Sequence, residues 1–159
     1  MKKKFSVSIN KKISRYNKTI KISSDKSISL RALILASQCI GLSKIKNILE
    51  SEDVLNCIKI LKKLGVKIVK KKNIHFVYGN GLNSFKASNK LTKIYVGNSG
   101  TTARLLSGLL STQNNKFYIH GDKSMNKRDM SRVIKPLEKV GCFFYPKKKS
   151  TLPLIIEGT

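Results

Sequence analysis

The sequence predicts a mixed α/β (α+β) fold in which one β-α-β-α-β-β unit occurs twice. Segments with strand periodicity alternate with segments of helix periodicity in the same order in both halves of the chain. Equivalent landmarks also recur at a nearly constant interval, because Arg31 precedes Arg104 by 73 residues and Gly65 precedes Gly141 by 76. A period of this length indicates a supersecondary unit that is used twice.

The first unit begins with an apolar helix. Loose alternation over residues 5–22 predicts one or two short strands, and residues 27–40 then predict a helix that is apolar on nearly every side. Such a helix is expected to be deeply buried, and Gly41 is expected to end it. Ile45 and Ile48 then predict a short strand.

The rest of the first unit follows an amphipathic pattern. Ser51 is the expected N-cap of a helix that has a single apolar stripe and stops at Gly65. Val66–Val69 and Ile74–Tyr78 then alternate as two strands of a hairpin.

The second unit repeats this order of elements. Its expected elements are a strand at Ile94–Val96, a loop at Gly97–Thr102, an apolar helix at Ala103–Leu110, a strand at Phe117–Ile119, an amphipathic helix over 130–140 that contains Pro136, and a hairpin of Phe143–Tyr145 and Leu154–Ile156. The apolar helix of each unit needs cover on all sides, so several units are expected to pack with these helices innermost. Two units leave one side open, which predicts that a further unit is missing.

The charge balance favours anionic partners. Lys and Arg number 33 against 8 acidic residues, which gives a net charge of +25. This excess suits nucleic acid, acidic lipid or phosphorylated metabolites, although a compositional bias toward Lys, Asn and Ile explains it equally well. Cys39, Cys57 and Cys142 form no CxxC pair, so we expect reduced core thiols and neither a metal nor a disulfide. No apolar run reaches membrane-spanning length, and a cytoplasmic protein without membrane contact is expected.

Three loop-to-helix junctions carry the candidate binding residues. Residues 25–31 place Lys26, Ser27 and Arg31 at a helix start, where free N–H groups and cations suit an anion. A capped helix with solvated cations explains the same pattern. Residues 97–104 hold two glycines that allow close approach of backbone and ligand, but a tight turn explains them too. Residues 121–130 form a cationic loop containing Arg128, which by itself is also typical of solvated surface.

Other arrangements of reactive side chains are not apparent in the sequence. His75 and His120 are isolated strand-end residues without an expected role, and the acidic residues form neither a pair nor a Ser/His/Asp arrangement.

Taken together, the segments 25–33, 97–104 and 121–128 resemble three signature segments of 5-enolpyruvylshikimate-3-phosphate synthases, in the same order and over nearly the whole chain. The resemblance implies the enolpyruvyl transferase fold, in which each of two domains contains three β-α-β-α-β-β units. Residues 1–22 would be a strand segment associated with an absent second domain. Residues 23–159 would form part of one domain, with units at about 23–85 and 91–159.

The resemblance also implies a function. The family transfers the carboxyvinyl group of phosphoenolpyruvate to the 5-hydroxyl of shikimate 3-phosphate, without a cofactor or metal and as a cytoplasmic monomer. Lys26 would touch both substrates, Ser27 and Arg31 would hold shikimate 3-phosphate, and Gly100 and Arg128 would bind phosphoenolpyruvate. Asn98, Thr101 and Arg104 would line that pocket. The family's proton-transfer acids lie in the second domain, so this chain alone is expected to be inactive.

Departures and rival interpretations accompany the resemblance. Asp129 stands where the family often has Pro, and its carboxylate could draw charge away from Arg128. The sister transferase that acts on UDP-N-acetylglucosamine has a different first motif. A nucleic-acid-binding module is motivated by the charge and by the runs 70–72 and 147–149, but these runs lack interleaved aromatic residues, so nucleic acid is not the expected partner.

Overall fold

The structure, a computed structural model, describes residues 8, 10, 22–87 and 91–159. Within that part of the chain lie four α-helices and seven strands. In chain order they are α1 Lys26–Gln38, β1 Ile40–Lys46, α2 Glu52–Lys63, β2 Lys67–Lys71, β3 Ile74–Asn80, β4 Thr92–Tyr95, α3 Gly100–Leu110, β5 Lys116–His120, α4 Ser131–Lys139, β6 Phe143–Tyr145 and β7 Leu154–Glu157, with a 3-10 turn at Met125–Lys127. The strands predicted over 5–22, and the segment 1–22 assigned to a second domain, fall almost wholly outside the described residues.

The three strands of the first sheet and three of the four strands of the second have the same arrangement. The first sheet has the order β1-β3-β2, and both of its pairs are antiparallel. The second sheet has the order β4-β5-β7-β6, in which β4 runs parallel to β5 and the remaining pairs are antiparallel. The order β5-β7-β6 is therefore equivalent to β1-β3-β2, as the repeated unit predicts. The first sheet lies within residues 40–80 and the second within 92–157.

Glycines shape the two units at equivalent places. Gly65 follows α2 and Gly141 follows α4, and both have positive φ, +88° and +99°, which a glycine adopts without strain. Near the end of the last strand of each unit, Gly79 and Gly158 lie against the carboxyl end of the unit's first helix. A Cβ on Gly79 would lie 2.2 Å from the Cys39 carbonyl oxygen, and one on Gly158 would lie 2.4 Å from that of Ser111.

The four helices share one hydrophobic core. Leu30 and Leu33 of α1, Leu61 of α2, and Leu106 and Leu110 of α3 are all fully buried. α1 packs against α2, β3, α3 and β1.

The opposite side of α1 is open to solvent. Ile28 is 69% exposed and Leu35 is 66% exposed, and Cys39 is exposed as well. An open side of α1 agrees with the expectation that two units leave these helices uncovered on one side. The prediction that Cys39 is a core thiol is wrong. No described part of the chain packs against this surface of α1.

Several element boundaries differ from those predicted. α1 ends at Gln38 and β1 begins at Ile40, so Gly41 lies inside the strand rather than ending the helix. Ile48 lies beyond β1. α3 begins at Gly100 instead of Ala103, because the Ser99 hydroxyl accepts a hydrogen bond from the Thr102 N–H and caps the helix there.

Pro136 does not end α4, which continues through this residue to Lys139. Within residues 22–87 and 91–159, no helix combines the length and apolar character needed to cross a membrane.

Candidate functional site

The three loop-to-helix junctions meet at one cleft of about 320 Å³. The beginnings of α1, α2 and α3 supply most of its lining, and the loop after β5 supplies the rest. Its lining residues are Lys26, Asp53, Asn98, Gly100, Thr101, Arg104 and Arg128. Six of the eight residues proposed from the sequence therefore lie in the same cleft, although 102 positions separate the first of them from the last.

The N-terminus of α3 forms one wall of the cleft. Ser99 caps this helix and is 1% exposed, and Gly100 is buried at the helix start. A Cβ on Gly100 would lie 2.8 Å from Nη1 of Arg104 and 3.4 Å from Nη1 of Arg128. The absence of a side chain therefore lets two guanidinium groups approach the positive end of the helix, where a bound anion gains from both.

Hydrogen bonds hold both guanidinium groups in place. Arg128 Nη2 donates to Asn98 Oδ1, and Asn98 Nδ2 donates to Asp122 Oδ2 at 2.8 Å. Asp122 in turn accepts from the Met125 N–H at 2.6 Å, which ties it to the 3-10 turn. Arg104 Nη2 donates to the carbonyl oxygen of Asp129 at 3.0 Å. The two arginines are thus oriented before any ligand arrives, which reduces the entropy lost on binding.

Lys26 stands on the other wall, in an ion pair with Asp53 at 2.8 Å. The Asp53 side chain is only 19% exposed, whereas that of Lys26 is 48% exposed. Sequence reasoning missed Asp53 as a site residue, because an acid in the first turn of α2 is already explained by the helix dipole. Asp122 was missed as well, since nothing local to it indicates that it orients Asn98.

The remaining two predicted residues lie outside the cleft lining. Ser27 is half-buried in the first turn of α1. Arg31 is exposed one turn later, and its Nη1 donates to the Ser27 carbonyl oxygen at 3.2 Å. Both lie on the same helix as Lys26, so they adjoin the cleft rather than line it.

The side chain of Asp129 accepts hydrogen bonds at the start of α4. Its carboxylate accepts hydrogen bonds from the Ser131 N–H at 3.2 Å and from the Ser131 hydroxyl at 2.5 Å. These hydrogen bonds lower the pKa of Asp129 below its ordinary value, because they stabilise the ionised form. The carboxylate is therefore engaged at the start of the helix, and the contact of this residue with an arginine is made by its backbone oxygen to Arg104.

The electrostatics of the cleft favour anions. Its lining contains the cations Lys26, Arg104 and Arg128 and the carboxylate of Asp53, which is paired with Lys26. Two guanidinium groups beside a helix N-terminus match the planar oxygens of a carboxylate or a phosphate.

Comparisons with known proteins agree on one family. The family model described as EPSP synthase (3-phosphoshikimate 1-carboxyvinyltransferase) matches residues 10–159. The chain belongs to the EPSP synthase family. Its relatives include the 3-phosphoshikimate 1-carboxyvinyltransferases of Sulfurihydrogenibium sp., 41% identical over 93% of this chain, and of Ruthia magnifica, 42% identical over 87%. The chain spans about a third of these relatives, 34% and 31% of their lengths.

Solved structures of EPSP synthases share the fold. The structure titled EPSP synthase from Acinetobacter baumannii aligns with a TM-score of 0.80 and 34% sequence identity, over 88% of this chain and 32% of the solved chain. A second structure from the same organism aligns with a TM-score of 0.79 and 35% identity. The α/β fold predicted from the sequence is therefore confirmed as that of EPSP synthases.

Proposed function

We propose that this chain is the N-terminal part of a 3-phosphoshikimate 1-carboxyvinyltransferase of the shikimate pathway, which leads to chorismate and the aromatic amino acids. In this reaction the carboxyvinyl group of phosphoenolpyruvate passes to the 5-hydroxyl of shikimate 3-phosphate, and phosphate is released. Membership in the family supports the reaction class. The observation that carries the proposal is the cationic cleft at which all three signature segments meet.

Phosphoenolpyruvate is proposed to occupy the wall formed by α3. Arg128 and Arg104 present guanidinium groups beside Gly100, and the helix N-terminus lies behind them. Phosphoenolpyruvate carries a carboxylate and a phosphate close together, and this set of donors is suited to both groups. Asn98 and Thr101 complete the lining on the same side.

Shikimate 3-phosphate is proposed to bind beside α1. Ser27 and Arg31 lie one turn apart, and Lys26 stands between them and the α3 wall. The guanidinium of Arg31 rests on the Ser27 carbonyl oxygen, and a phosphate would offer it a stronger, charge-assisted partner. The Lys26 ammonium would then contact both substrates, and its ion pair with Asp53 would weaken as these contacts form.

The chemical contribution of these residues is to hold two anions together. The 5-hydroxyl attacks C2 of phosphoenolpyruvate while C3 gains a proton, and the tetrahedral adduct then loses phosphate. Both substrates are anionic, so cations in the cleft offset their repulsion and fix their relative orientation. Asp53, the carboxylate of the lining, is already paired with Lys26. We therefore propose that the groups that move protons lie elsewhere in the complete fold. We also propose that the complete enzyme acts as a cytoplasmic monomer.

A chimeric enzyme tests this proposal. Residues 10–159 would replace the aligned third of the Sulfurihydrogenibium enzyme, which is 41% identical to this chain. The chimera is expected to release phosphate from the two substrates together, and the 159-residue chain alone is expected to release none. The unmodified relative serves as the positive control, and each substrate offered singly serves as the negative one.

Two results would contradict the proposal. A chimera that is folded and monomeric by size-exclusion chromatography, yet inactive with both substrates, would argue against a competent substrate site in this chain. Turnover by the 159-residue chain alone would show that the proton-transfer groups are already present in it.

A further inference from the structure

The solvent side of the second sheet carries a group of aromatic side chains. Inward residues such as Phe117 and Ile119 are fully buried, and their neighbours in the strands therefore point away from the core. The outward residues include five aromatic side chains from three strands, here called the aromatic face: Tyr95, Tyr118, His120, Phe143 and Tyr145. Tyr95 is 48% exposed and Phe143 is 52% exposed.

Three of these rings form a continuous cluster. The ring centroids of Tyr95 and His120 are 5.2 Å apart, and those of Tyr118 and His120 are 5.3 Å apart. The strand register extends this row across the sheet, since Tyr118 pairs with Ile155 and Ile155 pairs with Tyr145. The face therefore offers adjacent rings on β4 and β5, and Ile155 separates them from Tyr145 at the far edge of the sheet.

A cationic groove adjoins this face at Tyr95. The groove has a volume of about 620 Å³ and runs between α2 and β4, with Lys59, Lys63 and Lys93 among its lining residues. Lys63 Nζ is held by the carbonyl oxygen of Lys93 at 2.7 Å. Glu52 is the acid in the lining, so the three ammonium groups outweigh it.

The groove and the aromatic face are contiguous, because Tyr95 belongs to both. The pKa of His120 is lowered from its ordinary value, first by burial and then by the positive charges of Lys93 and Lys63. These ammonium groups therefore lie close enough to the ring cluster to act on it. At the far edge of the sheet, Lys147–Lys149 follow Tyr145 in the chain after Pro146.

We propose that the aromatic face and the adjoining groove bind a single-stranded polynucleotide, with bases stacked on the rings of Tyr95, Tyr118 and His120 and phosphates along Lys59, Lys63 and Lys93. Rings beside a row of cations are the combination by which proteins hold single strands without reading their sequence. A net charge of +25 favours a polyanion and disfavours a second copy of the chain on this surface. The cations proposed here are Lys59, Lys63 and Lys93 rather than the lysine runs, and the aromatic residues beside them come from alternation along neighbouring strands of the second sheet.

This surface is separate from the proposed substrate cleft. The groove lining and the cleft lining share no residue. Variants of the groove or the face are therefore expected to leave transferase activity of the chimera unchanged, so the two proposals can fail independently.

The stacking component is tested by fluorescence anisotropy of the 159-residue chain with a labelled oligothymidylate of about 12 nucleotides. The double variant Tyr95→Ala/Tyr118→Ala is expected to weaken binding by roughly tenfold or more, since each stacked base contributes about that factor. Tyr95→Phe/Tyr118→Phe keeps both rings and should restore the affinity. Tyr78→Ala is the matched control on the first sheet, where the Lys67 ammonium already lies 5.0 Å from the ring centroid. It should change the affinity less than about twofold.

The charge component is tested by titration at about 50 to 200 mM salt. Lys59→Gln/Lys63→Gln/Lys93→Gln is expected to reduce the slope of log K against log salt by about 2, given about 0.7 for each phosphate contact. The control Lys44→Gln/Lys46→Gln/Lys71→Gln removes the same charge from the outer side of the first sheet and should change the slope much less. Circular dichroism verifies that each variant keeps its secondary structure.

Four results would overturn the proposal. Equal binding of duplex and single-stranded DNA would show that general charge attraction explains the binding. An equal reduction of the salt slope in the two triple lysine variants would show the same. Unchanged affinity in the folded tyrosine double variant would remove the aromatic face from the interface. Concentration-dependent dimerisation abolished by that same double variant would assign the face to a second copy of the chain.

Discussion

The two helix-opening junctions occupy equivalent places in the two units but differ in the group that caps the helix. At α1 the carboxylate of Asp25 accepts the Ile28 N–H at 2.7 Å. At α3 the neutral hydroxyl of Ser99 accepts the Thr102 N–H at 3.3 Å. A carboxylate already compensates the positive end of its helix, whereas a hydroxyl leaves that potential available to a ligand. The first junction can therefore attract an anion chiefly through its side chains, and the second through its backbone as well.

The largest expected effect comes from removing a cation from either side of the cleft. In the active chimera, Lys26→Ala and Arg128→Ala are each expected to cost roughly 2–5 kcal/mol in substrate binding, the range for losing one partner of a buried charge contact. Isothermal titration calorimetry with each substrate measures the loss. Arg132→Ala removes an exposed arginine of α4 and serves as the matched control. Unchanged affinity in both cleft variants would exclude these residues from the site.

The next effect concerns Gly79 and Gly158, which occupy equivalent positions in the two units. Gly79→Ala and Gly158→Ala should each destabilise the chain by about 1–3 kcal/mol, because the new methyl group would overlap backbone carbonyl oxygens at the end of the unit's first helix. Urea denaturation measures the change in the free energy of unfolding. Gly108→Ala is the control, since a Cβ there meets nothing within 4 Å, and it should stabilise α3 by up to about 1 kcal/mol. A neutral result at only one of the two sites would show that the units pack differently there.

A smaller effect tests the capping difference directly. Ser99→Asp keeps a helix cap but places a carboxylate at the start of α3, so the chimera's KM for phosphoenolpyruvate should rise by about tenfold. Ser99→Asn is the matched control, because Asn caps equally well and has nearly the same size without the charge. Asp25→Asn should change that KM little, since α1 is not proposed to hold phosphoenolpyruvate by its N-terminus. Equal effects of Asp and Asn at position 99 would assign the loss to packing at this buried site.

The features predicted correctly from the sequence are those with a local cause. The hairpin of β2 and β3 follows from strand alternation around a short turn, and Gly65 and Gly141 end their helices because glycine adopts positive φ there. The cap at Ser99 also has a local cause, but small residues surround it and make it hard to recognise, so the start of α3 was misplaced. These signals lie within a few residues of the feature that they determine.

The features that were missed depend on residues distant in the chain. The need for Gly79 arises from carbonyl oxygens about 40 positions earlier, and the pairing of Asp53 with Lys26 joins two helices. The sequence predicted an open side of the apolar helices, but not that Ile28 and Leu35 lie on it, because that depends on which elements cover the rest of α1. Within the site, the motif segments identified the cations, but the acids that orient them become visible only once the helices are assembled.

The smallest expected effect separates the two histidines, one in each unit. His75 of β3 is 3% exposed, and its Nδ1 has no hydrogen-bond partner among the described residues. Burial lowers the pKa of His75 below 6.5, against the opposing attraction of Glu50, whose Oε1 lies 3.7 Å from Nε2. The pKa of His120 on the aromatic face is also lowered, by burial and by Lys93 and Lys63. Each histidine therefore prefers the neutral form in the folded chain.

The sign of the resulting pH dependence follows from linkage. Between the lowered folded pKa and the ordinary value of 6.5, the unfolded chain binds more protons than the folded one. Stability should therefore be fully present above about pH 6.5 and fall as the pH decreases below that value. Glu50 does not contribute in this window, because Lys70 lowers its pKa below 4.5. Urea denaturation at successive pH values should show a smaller slope in His75→Gln than in the parent chain, and His120→Gln should remove a lesser part because His120 is less buried. Stability that is constant or increases on acidification from pH 6.5 would contradict the neutral buried state of His75.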